Sequence, residues 1–332
     1  MSELLRQVAA LVEIPSPSGG EVAYAEAVAE ILARRGYGVE RQPVEGERCN
    51  LIARPAGAAQ LWFSTHLDVV PPHLPPRVEG TRLYGRGAAD TKGPLVAMFE
   101  AAARLAERGI RTGFLLVVGE EVDHCGAIVA ARELPPDGAP IVLGEPTSNR
   151  VAAAQKGMLK VRVVAEGVAG HSAFPDRGVS AIDRLLVFLE AVRREPWPDD
   201  PVLGPTTCNV GLISGGVAAN VFAPEAHATL MLRLATSAEA AQARLEALCP
   251  EGVSLTRISG NDPVRLEAPA GFPTCVVPFN SDASYLSALG PIVLCGPGAI
   301  EVAHSDHEHI DLADIEAGID TYVRLGEALL RD

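Results

Sequence analysis

Basic charge is scarce in this chain: 28 lysines and arginines stand against 42 acidic residues among 332, for a net charge of −14. Reading a nucleic-acid backbone requires a basic footprint, so that class is disfavoured. Attraction to anionic membrane surfaces is disfavoured with it. No stretch approaches the roughly 18 consecutive apolar residues that would span a bilayer. Met1-Ser2-Glu3-Leu4-Leu5-Arg6 lacks the basic start and apolar run of a signal peptide. There is no charge block, no internal repeat and no Ser- or Gln-rich tract, so disorder is not expected. The six cysteines (Cys49, Cys125, Cys208, Cys249, Cys275 and Cys295) are scattered, with no C-x-x-C pair. Buried thiols in a reducing compartment fit this better than a disulfide framework or a thiolate zinc site. The expectation is a soluble, cytoplasmic protein.

Apolar residues make up 48% of the chain, ample for a sizeable core, and the length allows two domains. Residues 3–13 and 20–35 read as amphipathic helices, parted by the breaker run Pro15-Ser16-Pro17-Ser18-Gly19-Gly20. Four short apolar runs follow, at 61–63, 113–118, 140–143 and 291–294. Turn signals bound each run, as expected of strands buried on both faces. Helical patterns at 93–108, 124–133 and 310–330 lie between or after them, which predicts an α/β domain with a largely parallel central sheet flanked by helices. The middle of the chain differs. Strands near 159–166, 207–214, 226–234 and 253–258, with helices at 179–194 and 237–248, give a β-α-β-β-α-β order. That order predicts a smaller inserted α+β domain. The expected division is 1–158 and 267–332 for the main domain and 159–266 for the insert.

Each of the four buried runs leads into possible metal ligands. The first is followed by His66-Leu67-Asp68, the second by Glu120-Glu121, the third by Glu145-Pro146-Thr147 and the fourth by Gly296-Pro297-Gly298 and then His304. Open α/β sheets bind ligands at the carboxyl ends of their strands. Four such strands would gather His, Asp and Glu at one sheet edge. A fifth piece, Tyr84 to Gly93, carries Asp90 just before a helix, where it is either a ligand or only a helix cap. Imidazole and carboxylate without thiolate suit zinc, with cobalt or manganese as substitutes. Two histidines and three carboxylates exceed what one open tetrahedral ion needs and suit two ions sharing a carboxylate. Side chains of the adjacent Glu120 and Glu121 should point in opposite directions, so that one binds metal while the other serves as base toward an activated water. Asp68 is expected to hold His66 by its other ring nitrogen. His124 is expected to begin a helix rather than bind metal, and His73 and His227 to be surface or core residues. Spacing alone does not choose among His304, His307 and His309.

These pieces, in this order, resemble the dinuclear zinc deacylases and carboxypeptidases, which include acetylornithine deacetylase, succinyl-diaminopimelate desuccinylase, acyl-lysine deacylases, aminoacylase and glutamate carboxypeptidase. The matching motifs are Ser64-Thr65-His66-Leu67-Asp68-Val69-Val70, Gly85 to Gly93, Gly119-Glu120-Glu121, Gly144-Glu145-Pro146-Thr147, Gly170-His171-Ser172-Ala173 and Gly296-Pro297-Gly298 through His304. They span nearly the whole chain. The resemblance implies two zinc ions per subunit, one held by His66, Asp90 and Glu145 and the other by Asp90, Glu121 and His304. It makes Glu120 the general base and gives a cis bond after Asp90. It implies that His171 stabilises the oxyanion from the partner subunit of a homodimer, that Asn220, Gly298 and Arg233 contact substrate, and that Arg233 grips an α-carboxylate. Taken alone, His171, Asn220 and Arg233 read as an ordinary loop His, a turn Asn and a solvated strand Arg. The segment 295–304 is closest to acetylornithine deacetylases. Asn280-Ser281-Asp282-Ala283 looks more like the desuccinylases and acyl-lysine deacylases. The expected substrate is N-acetylornithine or a similar Nα-acyl basic amino acid, as in amino-acid biosynthesis. A non-catalytic binding protein on the same fold would lack a ligand or the base, and all six are present.

Overall fold

The computed structural model describes residues 1–331 and divides the chain into two units. The first holds residues 1–153, 266–275 and 281–332; the second holds 154–265 and 276–280. The short return of 276–280 to the second unit was not expected from the sequence.

In the first unit the strands run, side by side, Gly38–Glu45, Arg48–Arg54, Thr112–Val117, Leu61–His66, Ile141–Leu143, Ile292–Leu294 and Val151–Gln155. The four central strands are the four apolar runs, and they are mutually parallel. Every residue in them is buried, as a sheet covered by helices on both faces demands. The hairpin Gly38–Glu45/Arg48–Arg54 adds antiparallel strands at one edge, and Val151–Gln155 pairs antiparallel beyond the other. The sheet is therefore mixed, with a parallel centre. Helices Gly93–Glu107 and Leu312–Ala328 pack together over it, and Phe63, Phe114 and Tyr322 meet in the core at ring separations of 5.5–5.8 Å. Because the central strands are parallel, their carboxyl ends share one edge. That is where the four candidate ligand segments emerge.

The second unit has a four-stranded antiparallel sheet in the order Thr207–Gly215, Glu225–Leu234, Gly157–Glu166, Val253–Asn261. Glu225–Leu234 alternates strictly, burying Ala226, Ala228, Leu230, Leu232 and Leu234. Helix Ala181–Arg194 covers that face with Leu185, Phe188, Leu189 and Val192, and helix Ala238–Ala247 adds Ala241 and Leu245. Along the chain the order is β-α-β-β-α-β, with a two-residue hairpin at 199–205 before the second strand. Among the described residues no helix is long and apolar enough to cross a membrane.

Candidate active site

His66 ends the strand Leu61–His66. Its Nδ1 donates to the backbone oxygen of Asp68 at 2.9 Å, which turns Nε2 toward Asp90 Oδ1 at 3.0 Å. The expected partner was the Asp68 carboxylate, but its nearer oxygen lies 3.6 Å away. That carboxylate has another task. Its two oxygens accept the backbone N–H groups of Glu120 (3.1 Å) and Glu121 (3.2 Å) and the Ser18 hydroxyl (2.7 Å). Asp68 thus orients His66 with its main chain and pins the double-glutamate turn with its side chain.

Asp90 lies in the tight turn Ala88–Lys92, and the Asp90–Thr91 bond is cis. Glu308 organises this turn. Its Oε1 accepts from the N–H groups of Gly87 (2.9 Å), Ala89 (3.2 Å) and Asp90 (3.1 Å), and Oε2 pairs with Arg86 at 2.7 Å. Gly298 packs on the same turn with φ +88°, and a Cβ added there would sit 3.3 Å from that of Ala89.

The two oxygens of Asp90 face two different histidines. Oδ1 faces His66, while Oδ2 lies 3.3 Å from His304 Nε2, which is also 3.0 Å from Glu121 Oε1. Two clusters result, His66–Asp90–Glu145 and Asp90–Glu121–His304. In each, the candidate ligand atoms lie within 4.8 Å of one another. Of the three histidines near the C-terminus, only His304 joins a cluster. His309 pairs in the strand His309–Asp311 beside Tyr84, and His307 serves it through a backbone oxygen. His73 is exposed, and His227 lies 3.3 Å from Glu225 on the second unit's sheet.

The donor set fits a pair of divalent cations. Glu145 is buried and its Oε1 has no hydrogen-bond partner; a buried carboxylate oxygen in that condition is costly without a cation. Burial pushes Glu145 well above the usual carboxylate range, with Asp90 and Glu120 adding to the effect. Burial likewise raises Glu120 to about 8. Burial opposes ionisation of Asp90 too, yet hydrogen bonds from His304 and His66 outweigh it and hold Asp90 below the usual range. Hydrogen bonds to Asp90 and Glu121 lift His304 to about 10. Glu120 belongs to neither cluster; its nearest cationic neighbour is His124, at 3.8 Å.

The remaining expected residues lie in the second unit. His171 Nδ1 accepts from Ala173 N at 3.1 Å, so in the neutral ring Nε2 carries the proton and is a donor. The Asn220 loop pairs with it, Ser172 N donating to Asn220 O at 3.0 Å. Arg233 sits half-buried on Glu225–Leu234, opposite Thr207 and Met158. Sequence reasoning missed Glu308, Ser18 and Asp282. Their partners lie between 50 and 222 residues away in the chain, so no local pattern marks them.

Comparison with known proteins agrees with this geometry. The model for peptidase family M20/M25/M40 matches residues 62–328. A peptidase M20 domain-containing protein of Schizosaccharomyces pombe is 34% identical over 95% of this chain and 82% of its own. A probable carboxypeptidase of Aspergillus terreus is 35% identical over 96% of this chain and 85% of its own. Among solved structures, a tripeptidase from Staphylococcus aureus superposes with a TM-score of 0.81 at 20% identity, covering 99% of this chain and 98% of that one. A Bacillus subtilis protein described as a dinuclear metal-binding peptidase reaches 0.70 at 14% identity, covering 99% and 98%. At such identities these structures speak for the fold, and the family model and sequence relatives speak for kinship. On the family model and the sequence relatives, the chain belongs to peptidase family M20/M25/M40, a family of metal-binding hydrolases.

Proposed function

We propose that this protein is a two-metal amidohydrolase whose leaving group is an amino acid with a free α-carboxylate. The observation that carries the reading is the pair of ligand clusters sharing Asp90, with Glu120 beside them and outside both. His66, Asp90 and Glu145 would hold one ion, and Asp90, Glu121 and His304 the other. Two such ions, with zinc the first choice for this donor set, supply Lewis acidity and lower the pKa of water. Glu120 takes a proton from the attacking water as its oxygen adds to the amide carbon. It then delivers that proton to the amine nitrogen as the C–N bond breaks. His171, a donor at Nε2, stabilises the oxyanion. Arg233 binds the α-carboxylate through paired hydrogen bonds, and Asn220 and Gly298 complete the substrate contacts.

The motifs point to N-acetylornithine or a similar Nα-acyl basic amino acid, with acyl-lysine and succinyl-diaminopimelate as neighbours. The relatives named probable carboxypeptidases weigh toward short peptides. The same bond is cut in every case, between an acyl carbon and the nitrogen of an amino acid bearing a free carboxylate. A homodimer through the second unit is part of the proposal. The strand Thr207–Gly215 is a sheet edge exposing Leu212 and Ile213, and the adjacent helix exposes Leu186 and Val187. An unpaired apolar edge of this kind is usually covered.

The test is a hydrolysis screen of zinc-loaded protein against acetylornithine, acetyllysine, succinyl-diaminopimelate and dipeptides, each beside its carboxyl-amidated form. Glu120→Ala, retaining both metals, is the control. Cleavage of free-carboxylate substrates that is lost in Glu120→Ala supports the proposal. Cleavage that survives in Glu120→Ala, or that ignores amidation, overturns it.

A further inference from the structure

We infer that His124 and Asp282 are positioning residues for Glu120, forming a second imidazole–carboxylate pair beside the base and outside both ligand clusters. The inference rests on the reading of Glu120 as the base.

His124 is buried, and its Nδ1 lies 2.9 Å from Asp282 Oδ1 and 3.8 Å from Glu120 Oε1. The ring rests against Tyr285 at 5.2 Å. Burial opposes a charge on His124, but the hydrogen bond to Asp282 and the fields of Glu120 and Asp282 outweigh it and lift the imidazole to about 9. The imidazole therefore stands between two carboxyl groups.

Two features say that packing alone does not account for the pair. His124 has φ +58°, a left-handed conformation that is unfavourable for a residue with a Cβ. Such outliers concentrate where a side chain must be aimed. The other oxygen of Asp282 is buried without a hydrogen-bond partner. A pair kept only for stability would be fully satisfied, or replaced by apolar side chains at little cost.

The backbone ties the pair to the base. Gly119 O accepts the N–H groups of Asp123 (3.1 Å) and His124 (2.8 Å), closing one turn over Glu120 and Glu121. Asp68 pins the start of that turn through two amides, and Asp282 pins its end through His124. Glu120 is thereby constrained at both ends of its turn, at one end by Asp68, which also holds His66, and at the other by the His124–Asp282 pair, which lies in neither ligand cluster.

The experiment uses the zinc-loaded full chain and the best substrate from the screen. His124→Gly removes the side chain without opposing the left-handed backbone, and Asp282→Asn removes the charge while keeping the shape. Both should lower kcat roughly 10- to 100-fold, the usual effect of disturbing a group that orients the reacting residue. KM should stay within about twofold, with two metals still bound by elemental analysis; because Asp282→Asn breaks a buried pair and lowers the thermal midpoint, kcat is read well below each variant's midpoint, where it is fully folded. The double variant should fall no further than the worse single one, because the pair acts as a unit. If kcat of the fully folded variants is unchanged, or falls only in proportion to lost metal content, the inference is overturned. Should His124→Gly fail to fold, Asp282→Asn decides alone by the same criteria. Glu120→Ala in the same assay separates the two readings: an active Glu120→Ala defeats the assignment of the base, whereas an inactive one beside fully active pair variants defeats only this inference.

Discussion

Removing the metals should make the first unit progressively less stable as the pH rises from 5 to 9, and restoring them should reverse that trend. Glu120 has a folded pKa of about 8 against an ordinary 4.5. A group raised in this way contributes stability that is complete below its unfolded pKa and is lost as pH rises through the folded one. At about 1.4 kcal/mol per pKa unit, Glu120 alone carries on the order of 5 kcal/mol across that window. His124, raised from 6.5 to about 9, and His304, raised to about 10, act in the same direction, their contributions fading toward the alkaline end. Asp90 is depressed, so its contribution is lost only in acid, outside the window. With metals bound the sign reverses, because ligation requires deprotonated carboxylates and neutral imidazoles and so strengthens with pH. The assay is urea unfolding followed by tryptophan fluorescence. Trp62 lies in the first unit and Trp197 in the second, so Trp197→Phe leaves one reporter in the first unit. The stability difference between zinc-loaded and chelator-treated protein should widen from pH 5 to pH 9, because the ligands Glu121 and Glu145, which burial raises, must lose their protons to bind the ions. A difference that stays flat would refute the idea that buried, cation-seeking carboxylates dominate this region.

Three other perturbations test separate parts of the site. Glu308→Gln breaks a buried pair with Arg86 and should cost about 3–5 kcal/mol of stability; it should also weaken metal retention because it loosens the Asp90 turn, and full retention measured by dialysis against chelator would show that the turn holds itself. Arg233→Ala should raise KM roughly tenfold or more for free-carboxylate substrates, the weight of a charged hydrogen bond, and leave carboxyl-amidated ones little changed; equal losses on both would make Arg233 structural. If His171 acts across a dimer, mixing inactive His171→Ala with inactive Glu120→Ala subunits should restore activity through mixed dimers containing one intact site; no recovery after confirmed subunit exchange, or a fully active monomer, would place His171 within its own chain or outside catalysis.

What the sequence displays and what it hides follow from one physical difference. Glu121 and Glu145 stand directly after runs that can only be buried strands, and a carboxylate there is conspicuous. His66 ends such a run itself. The parallel sheet then does the gathering, since parallel strands deliver their carboxyl ends to one edge. His304 was not separable from His307 and His309 by spacing because it reaches Asp90 through a loop, with φ +62° at His304 itself. A helical or strand period says nothing about such a path. Asp68 was located correctly, but its bonds were exchanged: the carbonyl takes the imidazole and the carboxylate takes two amides. That choice depends on how the chain turns after Leu67, which side-chain identity does not specify. Asp282 stands in a motif the sequence displays, but its pairing with His124, like that of Glu308 with Arg86, was hidden because each meets its partner only after the chain has passed through the second unit and returned.

The buried acids of the first unit sort themselves by how they are neutralised. Glu21 is fully buried and takes two hydrogen bonds from Arg48, at 2.7 and 3.0 Å. Glu308 takes Arg86 and three amides, and Asp68 takes two amides and a hydroxyl. These are saturated structural carboxylates, each held by donors that the chain itself supplies. Asp90 and Glu121 have imidazole partners for their carboxylates, and one oxygen of Glu145 has no partner. An imidazole is a fitting neighbour for a carboxylate that shares a cation with it, since both present lone pairs once the ring is neutral. Had burial of these acids served stability, the chain had guanidinium and amide donors to spend on them, as it does at Glu21 and Glu308. Their incomplete satisfaction in the midst of saturated neighbours is the physical mark of a site built for ions; Asp282, with an imidazole partner and one unpartnered oxygen, shares that mark but lies in neither cluster, so the mark identifies the ligands only together with their convergence.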